Sequence, residues 1–181
     1  VSTLIGESSA IMEGVSMAHT WLVQGLVDQV LLIGAEESDW VAVEATSFYH
    51  PDLKSSEGAG ALLLSLAEKG LPLRHSSALA FHSKQERDEK LRELPFAVAP
   101  LCITSESGIA ILDKAERAAQ LPGNPTTTLR PRQIIGETMG AGGALQLVLA
   151  AHLAGQHQCT VNVALNGSLC AAYSAVVEGG S

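Results

Sequence analysis

Residues 6–10 read Gly-Glu-Ser-Ser-Ala and lie between an apolar run and a helical pattern. They are close to the G-x-S-x-G nucleophile elbow, in which a strained strand-to-helix turn exposes a serine hydroxyl. Ala10 stands in the place of the last glycine. Ser8 would then carry out acyl transfer or hydrolysis through an acyl ester. The simpler interpretation, which we favour, is that the Ser8 hydroxyl caps the following helix.

A serine nucleophile also needs a general base within hydrogen-bond reach. His19 falls about three turns from Ser8 on the same predicted helix, which is too far for proton transfer. None of the histidines lies in a loop that the pattern marks as catalytic. They are His19, His50, His75, His82, His152 and His157. The local sequence therefore supplies an elbow without an evident base.

Two further patterns have chemical potential. Glu36 and Glu37 follow a predicted buried strand, at the strand end where α/β sheets form their sites. They are an acid–base pair or, as we expect, one carboxylate in solvent and one capping a loop. The glycine-rich residues 136–144 lack the lysine and spacing of a phosphate loop, so we attribute these glycines to close helix packing.

Composition narrows the possible functions. The 181 residues are 46% hydrophobic and 17% charged, which is typical of a globular protein. The net charge of -8 argues against nucleic-acid binding. Cys102, Cys159 and Cys170 show no C-x-x-C spacing, so we expect thiols in a reducing cytoplasm and neither a metal nor a cofactor. No run is apolar enough to span a membrane, and no signal peptide is evident.

Strand and helix patterns alternate, which predicts an α/β protein with a largely parallel sheet that closes on antiparallel strands. We expect residues 30–33 to be buried on both faces and residues 38–56 to be irregular. The segments 58–68 and 71–83 are predicted to form a hairpin. The other predicted strands are 1–5, 95–107, 159–167 and 171–179. The predicted helices are 8–24, 84–94, 111–121 and 140–154, and 122–132 is a proline-rich connection.

The order and spacing of five short motifs resemble the β-ketoacyl synthases of the thiolase fold. These motifs are Gly25 to Asp28, Val30 to Glu36, Glu57 to Ala61, Asp113 to Glu116 and Gly136 to Ala144. The resemblance implies a thiolase-like layered α-β-α-β-α architecture with mixed, largely parallel sheets. It begins just before the family's nucleophile. Residues 1–70 are then the remainder of an N-terminal half, and residues 71–181 are a C-terminal half.

The resemblance also locates the family's catalytic positions. Its nucleophilic cysteine falls on Ser8, its two histidines fall on Ser105 and Glu137, and its lysine falls on Arg132. Glu116, in the motif Asp-Lys-Ala-Glu, is a supporting position. The glycine-rich turn of the family falls near 167–172, where its pattern is lost. Every catalytic position has changed, and we predict a structural ion pair between Arg132 and Glu137.

These changes imply a catalytically silent subunit, similar to the chain-length factors of type II polyketide and aryl-polyene systems. It would support an active ketosynthase in fatty acid or polyketide biosynthesis, as a homodimer or a heterodimer. Acyl carrier protein is acidic as well, so we expect it to be engaged indirectly, through the partner. Two alternatives stay open: a serine hydrolase or acyltransferase that uses Ser8, and a residual 3-oxoacyl-[acyl-carrier-protein] synthase.

Overall fold

The fold was analysed in a computed structural model of the chain. It describes residues 1–6, 8–67, 69–75, 79–80, 83, 85–86, 89–90, 97–111, 113–114, 125–166 and 171–179. Several predicted features lie outside these residues. They are most of the helices at 84–94 and 111–121, the supporting position Glu116, His82, Cys170, and the turn at 167–170.

The described residues form a mixed α/β fold, which confirms the predicted fold class. Its helices are α1 (Ala10–Val23), α2 (Trp40–Tyr49), α3 (Pro131–Ile135) and α4 (Met139–His157). Its strands are β1 (Val30–Glu36), β2 (Gly58–Leu64), β3 (Leu73–His75), β4 (Leu79–Ala80), β5 (Leu101–Ile103), β6 (Thr127–Leu129), β7 (Val161–Asn166) and β8 (Ala171–Val177).

The strands belong to two sheets. β1 and β2 form an antiparallel pair with Val30 opposite Leu64 and Glu36 opposite Gly58. The larger sheet has the order β3-β8-β7-β5-β6, with β4 also paired to β8. In that sheet β5 runs parallel to β6 and β7, and β8 runs antiparallel to β3, β4 and β7. The sheets are mixed, as expected from the sequence, but their predicted largely parallel character is not observed: of the six pairings between described strands, four are antiparallel and two are parallel.

Helix α4 lies between the two sheets and contacts β1 and β2 on one side and β7 and β8 on the other. Small residues make this position possible. A Cβ built on Gly60 would lie 2.9 Å from the Ala144 carbonyl carbon, so β2 approaches the helix backbone more closely than a larger residue allows. Leu147, Ala150 and Ala154 of α4 are fully buried in the core. The predicted close packing of this helix is confirmed.

The pairing of residues 58–68 with 71–83 was predicted wrongly. β3 pairs with β8, at the other end of the chain, with Leu73 opposite Val177. Residues 38–56 are not irregular, because α2 begins after Asp39, whose Oδ1 accepts a hydrogen bond from Ala42 N at 2.8 Å. Residues 127–129, expected in a connection, form β6 beside β5. Parallel pairing joins distant segments, so local patterns do not show it.

Two strand predictions near the N-terminus also differ from the structure. Residues 1–5 are exposed and take no strand pairing in the described structure, so they form no sheet. β1 is not buried on both faces: Leu31 and Ile33 are 61% and 59% exposed. The side of β1 that carries Leu32 and Gly34 faces α4 and α1, and the opposite side faces solvent.

Candidate functional site

Ser8 lies directly before α1 and against the first turn of α4. The prediction that it caps α1 is wrong, because the N-cap residue is Ser9, whose side chain makes no capping bond. The Ser8 hydroxyl instead donates a hydrogen bond to the carbonyl oxygen of Met139 at 2.9 Å. A Cβ built on Gly142 would lie 2.7 Å from Ser8 Oγ, so glycine at this place on α4 makes room for the serine. The Ser8 hydroxyl therefore links the residues that precede α1 to the first turn of α4.

Glu137 is buried before α4 and forms an ion pair with the Arg132 guanidinium. This is the pair that the sequence predicts. The second carboxylate oxygen, Oε1, accepts a hydrogen bond from the Met139 backbone N–H at 2.9 Å, at the end of the helix where a negative charge is favoured. The Glu137 carboxylate therefore pairs with the Arg132 guanidinium and also accepts a hydrogen bond at the N-terminus of α4.

The backbone fixes Glu137 as firmly as its side chain does. Glu137 N donates to the Lys54 carbonyl at 2.7 Å, and Ser56 N donates to the Glu137 carbonyl at 2.8 Å. Gly136, before it, has φ of 88°, and a Cβ there would lie 2.8 Å from the Lys54 oxygen. Only glycine suits both the conformation and the close approach. The first glycine of the motif Gly136 to Ala144 therefore has a structural explanation.

Ser105 follows β5 and is buried in a small polar cluster. Its hydroxyl donates to the Ala164 carbonyl of β7 at 3.0 Å. Gln146 of α4 lies beside it and donates through Nε2 to the Thr104 carbonyl at 3.0 Å. Arg132 Nη1 donates to the Ser105 carbonyl at 3.2 Å. The side chain and the backbone of Ser105 both connect β5 to neighbouring elements.

These contacts form one continuous path. It runs from Ser8 to Met139, from Met139 to Glu137, from Glu137 to Arg132 and from Arg132 to the Ser105 carbonyl. The structure thus connects the four family catalytic positions predicted from the sequence, although they are spread from residue 8 to residue 137. Met139, the central member, has φ of 34°, a left-handed conformation that is uncommon for a residue other than glycine. Such strain persists where surrounding contacts hold the backbone in place.

The loop after Ser105 contains Glu106, which the sequence analysis missed together with its partner Arg130. Glu106 is buried, and its Oε2 accepts from Arg130 Nε at 3.0 Å, so each of the two arginines flanking Pro131 holds one buried glutamate. The repeat Arg-Pro-Arg after a run of threonines was the available signal. A pair of cations this close together near buried carboxylates favours ion pairs.

Asp113, the first residue of the motif Asp-Lys-Ala-Glu, organises the same loop. Its Oδ1 accepts from the backbone N–H of Ser107 at 2.8 Å and from the Ser107 hydroxyl at 2.9 Å. Its Oδ2 accepts from the Gly108 N–H at 2.8 Å. A buried carboxylate with three donors is well satisfied and holds the loop in one shape. Asp113, the first residue of this family-like motif, therefore has a structural role in stabilising the loop.

The other sequence candidates lie apart from this path. Glu37 is exposed, as predicted, but Glu36 does not cap a loop, because its Oε2 accepts a hydrogen bond at 3.2 Å from Gly140 N in the first turn of α4. Histidines 152 and 157 are exposed on α4. The Nδ1 of His50 accepts from the backbone N–H of Asp52 at 3.2 Å, which assigns it to a local turn. The hydrogen-bond partner of Ser8 Oγ is a main-chain carbonyl, and not a histidine.

Within the described residues, no group of three or more histidine, cysteine, aspartate or glutamate side chains is placed to hold a metal ion. Over the same part of the chain, every helix is too short or too polar to cross a bilayer.

Comparison with known proteins identifies the fold. The structure matches the ishigamide ketosynthase/chain length factor with a TM-score of 0.74 and 19% identity. It matches the complex of the ketosynthase ApeO with its chain length factor ApeC from Xenorhabdus doucetiae with a TM-score of 0.76 and 16% identity. A β-ketoacyl synthase from Burkholderia phymatum gives 0.75 and 14%. The chain has the thiolase-like fold of ketosynthases and chain length factors.

The extent of the match is unequal on the two sides. The alignments cover 97%, 98% and 97% of this chain but only 56%, 59% and 60% of these three structures. No protein-family model matches the sequence, and no curated protein matches it. The 181 residues therefore span less than two thirds of the fold seen in these relatives.

Proposed function

We propose that this chain is a catalytically silent ketosynthase-like subunit that supports an active ketosynthase in fatty acid or polyketide biosynthesis. One observation carries the proposal. The groups at the four family catalytic positions are committed to one another or to backbone: Ser8 to Met139, Ser105 to Ala164, and Glu137 to Arg132. A condensing enzyme needs these positions for substrate.

The residue types support the same conclusion. A serine hydroxyl is a far weaker nucleophile than a thiolate unless a base removes its proton, and the Ser8 proton points to a carbonyl. A histidine pair would offer neutral imidazoles to stabilise an enolate. Glu137 offers instead a carboxylate held by a guanidinium, and Ser105 offers a hydroxyl that is already donating. Neither provides the donor that decarboxylation requires.

An exposed apolar surface supports the need for a partner. In the register of the small sheet, Leu31 lies opposite Leu63, Ile33 opposite Ala61 and Ala35 opposite Ala59, and all six residues are exposed. A solvated face of an antiparallel pair normally carries polar residues. We name this set of six residues the outer sheet face. Its composition favours burial against additional polypeptide.

Helix α2 also exposes apolar side chains. Trp40, Val41, Val43 and Phe48 are all exposed on a helix of ten residues. A helix with apolar residues on several sides is typical of a buried position. The partner in this proposal is an active ketosynthase, and a second copy of this chain is the alternative. Acyl carrier protein is then engaged through the active subunit, in the cytoplasm.

The two sheets also match the proposed division of the chain. Residues 1–70 contain the small sheet and α1, and residues 71–181 contain the larger sheet and α4. We propose that the first part is the end of an N-terminal half and the second part is a C-terminal half of the ketosynthase fold. The matched share of the relatives supports this, because 40% or more of each relative lies outside the alignment.

Covalent labelling tests catalytic silence. The purified chain is incubated with a fluorophosphonate and, separately, with an acyl thioester, and its intact mass is then measured. We expect no adduct with either reagent, in the parent chain or in the Ser8→Ala variant. Ser9→Ala is the matched control, because Ser9 makes no capping bond. An adduct that disappears with Ser8→Ala and persists with Ser9→Ala would replace this proposal with a serine hydrolase or acyltransferase.

A second assay tests residual condensation. The chain is mixed with a malonyl thioester, and carbon dioxide release is followed by a coupled assay. Release at the background rate is expected, since Ser105 and Glu137 stand where the family has histidines. Release above background that falls in Glu137→Ala would instead indicate a residual 3-oxoacyl synthase.

A further inference from the structure

A cavity of about 400 Å³ lies between α1 and the segment that connects β2 to β3. α1 contributes Val15, His19 and Leu22, and residues 63–67 and 69–73 form the remainder of its wall. Ser8 stands before the first turn of α1 and His19 in its last turns, so the two are about 16 Å apart along the helix axis. The cavity is therefore separate from the candidate site.

A second cavity of about 210 Å³ adjoins it, and its lining residues are all of apolar type. The two cavities share Leu63, Leu64, Leu71 and Leu73. The inner cavity is closed by Leu62, Leu147, Ala151 and Val177, which come from β2, α4 and β8. Together they form one slot, which we name the leucine slot, with an apolar inner end and a mixed outer end.

The polar residues lie at the outer end of the leucine slot. They are His19, Ser65 and Lys69. The lysine ammonium is a compact positive charge with three donors, and the serine hydroxyl and histidine ring add hydrogen-bonding atoms. An apolar interior with a few polar groups at one end is the usual form of a small-molecule site, and the volume lies at the lower end of the usual range.

From this arrangement we propose that the leucine slot binds an unbranched aliphatic carboxylate, with its chain among the leucines and its carboxylate at Lys69. Burying an alkyl chain contributes in proportion to its length, at about 0.8 kcal/mol for each CH₂ group removed from water. The cationic side chain selects the head group. A neutral head group would lose this contact, and a cationic head group would be repelled by the Lys69 ammonium.

Titration calorimetry with the full chain tests the proposal, and the probes are decanoate, decanol and decylamine. We expect decanoate to bind most tightly. Lys69→Glu is expected to weaken decanoate binding about fivefold, in line with a solvent-exposed ion pair. Lys114→Glu is the matched control, because Lys114 is exposed and does not line either cavity. It should leave decanoate affinity unchanged.

Two variants test the inner end of the slot. Ala151→Trp and Leu71→Trp each fill it, from α4 and from the connecting segment. Loss of decanoate binding in a variant that retains its circular dichroism spectrum supports the proposal. Leu71 is partly exposed, so its replacement disturbs the core less if Ala151→Trp fails to fold. Equal affinity for all three probes, or unchanged decanoate binding in both tryptophan variants, would overturn it.

Discussion

The two sheets of this protein differ in how far their apolar strands are buried. β1 is apolar up to its last residue, and β7 is apolar except for Asn162 and Asn166. β7 is covered on both sides: Val161, Asn162, Val163 and Ala164 are all buried, and the Asn162 amide exchanges two hydrogen bonds with the backbone of Ala97. β1 is covered by α4 and α1 on one side and exposes the outer sheet face on the other. The comparison shows that one face of the small sheet is apolar and exposed, whereas the first four residues of β7 in the large sheet are buried.

Polar and apolar side chains are also distributed differently in the two regions. Buried carboxylates with arginine or backbone partners hold β5, α3 and α4 together at Glu106 and Glu137. Around the outer sheet face the large side chains are apolar and solvent-exposed. The following experiments compare the two regions, from the largest expected effect to the smallest.

Removing the buried carboxylate should have the largest effect. Glu137→Ala leaves the Arg132 guanidinium without its ion-pair partner, and we expect the free energy of unfolding to fall by about 4 kcal/mol in urea denaturation. Glu37→Ala, on an exposed residue, should change it by less than about 0.5 kcal/mol. Replacing both Arg132 and Glu137 by methionine should cost less than Glu137→Ala alone. Equal stability of Glu137→Ala and the parent would contradict the structural role of the pair.

A matched pair of leucines compares the two regions directly. Leu147 in α4 is 1% exposed, and Leu63 on the outer sheet face is 64% exposed. Leu147→Ala should lower the free energy of unfolding by about 3 kcal/mol through lost burial and a residual cavity. Leu63→Ala should cost less than about 0.5 kcal/mol in the isolated chain and should weaken binding of the partner. Equal costs in the isolated chain would mean that the outer sheet face is already covered.

Alanine substitutions at two glycines of α4 test how closely this helix packs against its neighbours. A Cβ on Gly143 would overlap the Ser8 carbonyl oxygen, so Gly143→Ala should destabilise by about 2 kcal/mol, measured by thermal unfolding. A Cβ on Gly155 would meet only Leu71 Cδ1, at 3.7 Å. Gly155→Ala should therefore stabilise by up to about 1 kcal/mol through helix propensity. The same sign for both substitutions would remove the packing argument.

The smallest effect concerns α2. Asp39→Ala removes the capping bond to Ala42 N and should cost about 1 kcal/mol, read from helix content and thermal unfolding. Asp39→Asn keeps an acceptor and should retain most of the stability. Since α2 is exposed on several sides in the isolated chain, the Asp39→Ala cost should shrink when a partner packs on it. A cost that is identical with and without the partner would separate α2 from the proposed interface.

Local patterns were sufficient for some elements and not for others. The helical spacing of α1, the small residues of α4 and the two strands β7 and β8 were predicted from the sequence. The pairing of β3 with β8 was not, because the two lie about a hundred residues apart in the chain, and long-range pairing leaves no local mark. α2 was missed because apolar residues on several sides give it no clear periodicity.

The candidate site shows the same limit. The ion pair of Arg132 with Glu137 was predicted because the two are five residues apart. The bond from Ser8 to Met139 was not predicted, because it joins residues 131 positions apart, and a helix-capping serine and a helix-bridging serine have the same local sequence. The ion pair of the buried Glu106 with Arg130 was missed because it also joins residues distant in the sequence.

Co-purification from the native source is the most direct test of a silent supporting subunit. The tagged chain is isolated from its host, and its partners are identified and quantified by mass spectrometry. The proposal predicts an intact ketosynthase, with its catalytic cysteine and both histidines, in roughly equal amount, and loss of this partner when Leu31 and Ile33 are replaced by lysine. Isolation of this chain alone, or as a stable homodimer that those substitutions leave intact, would contradict it.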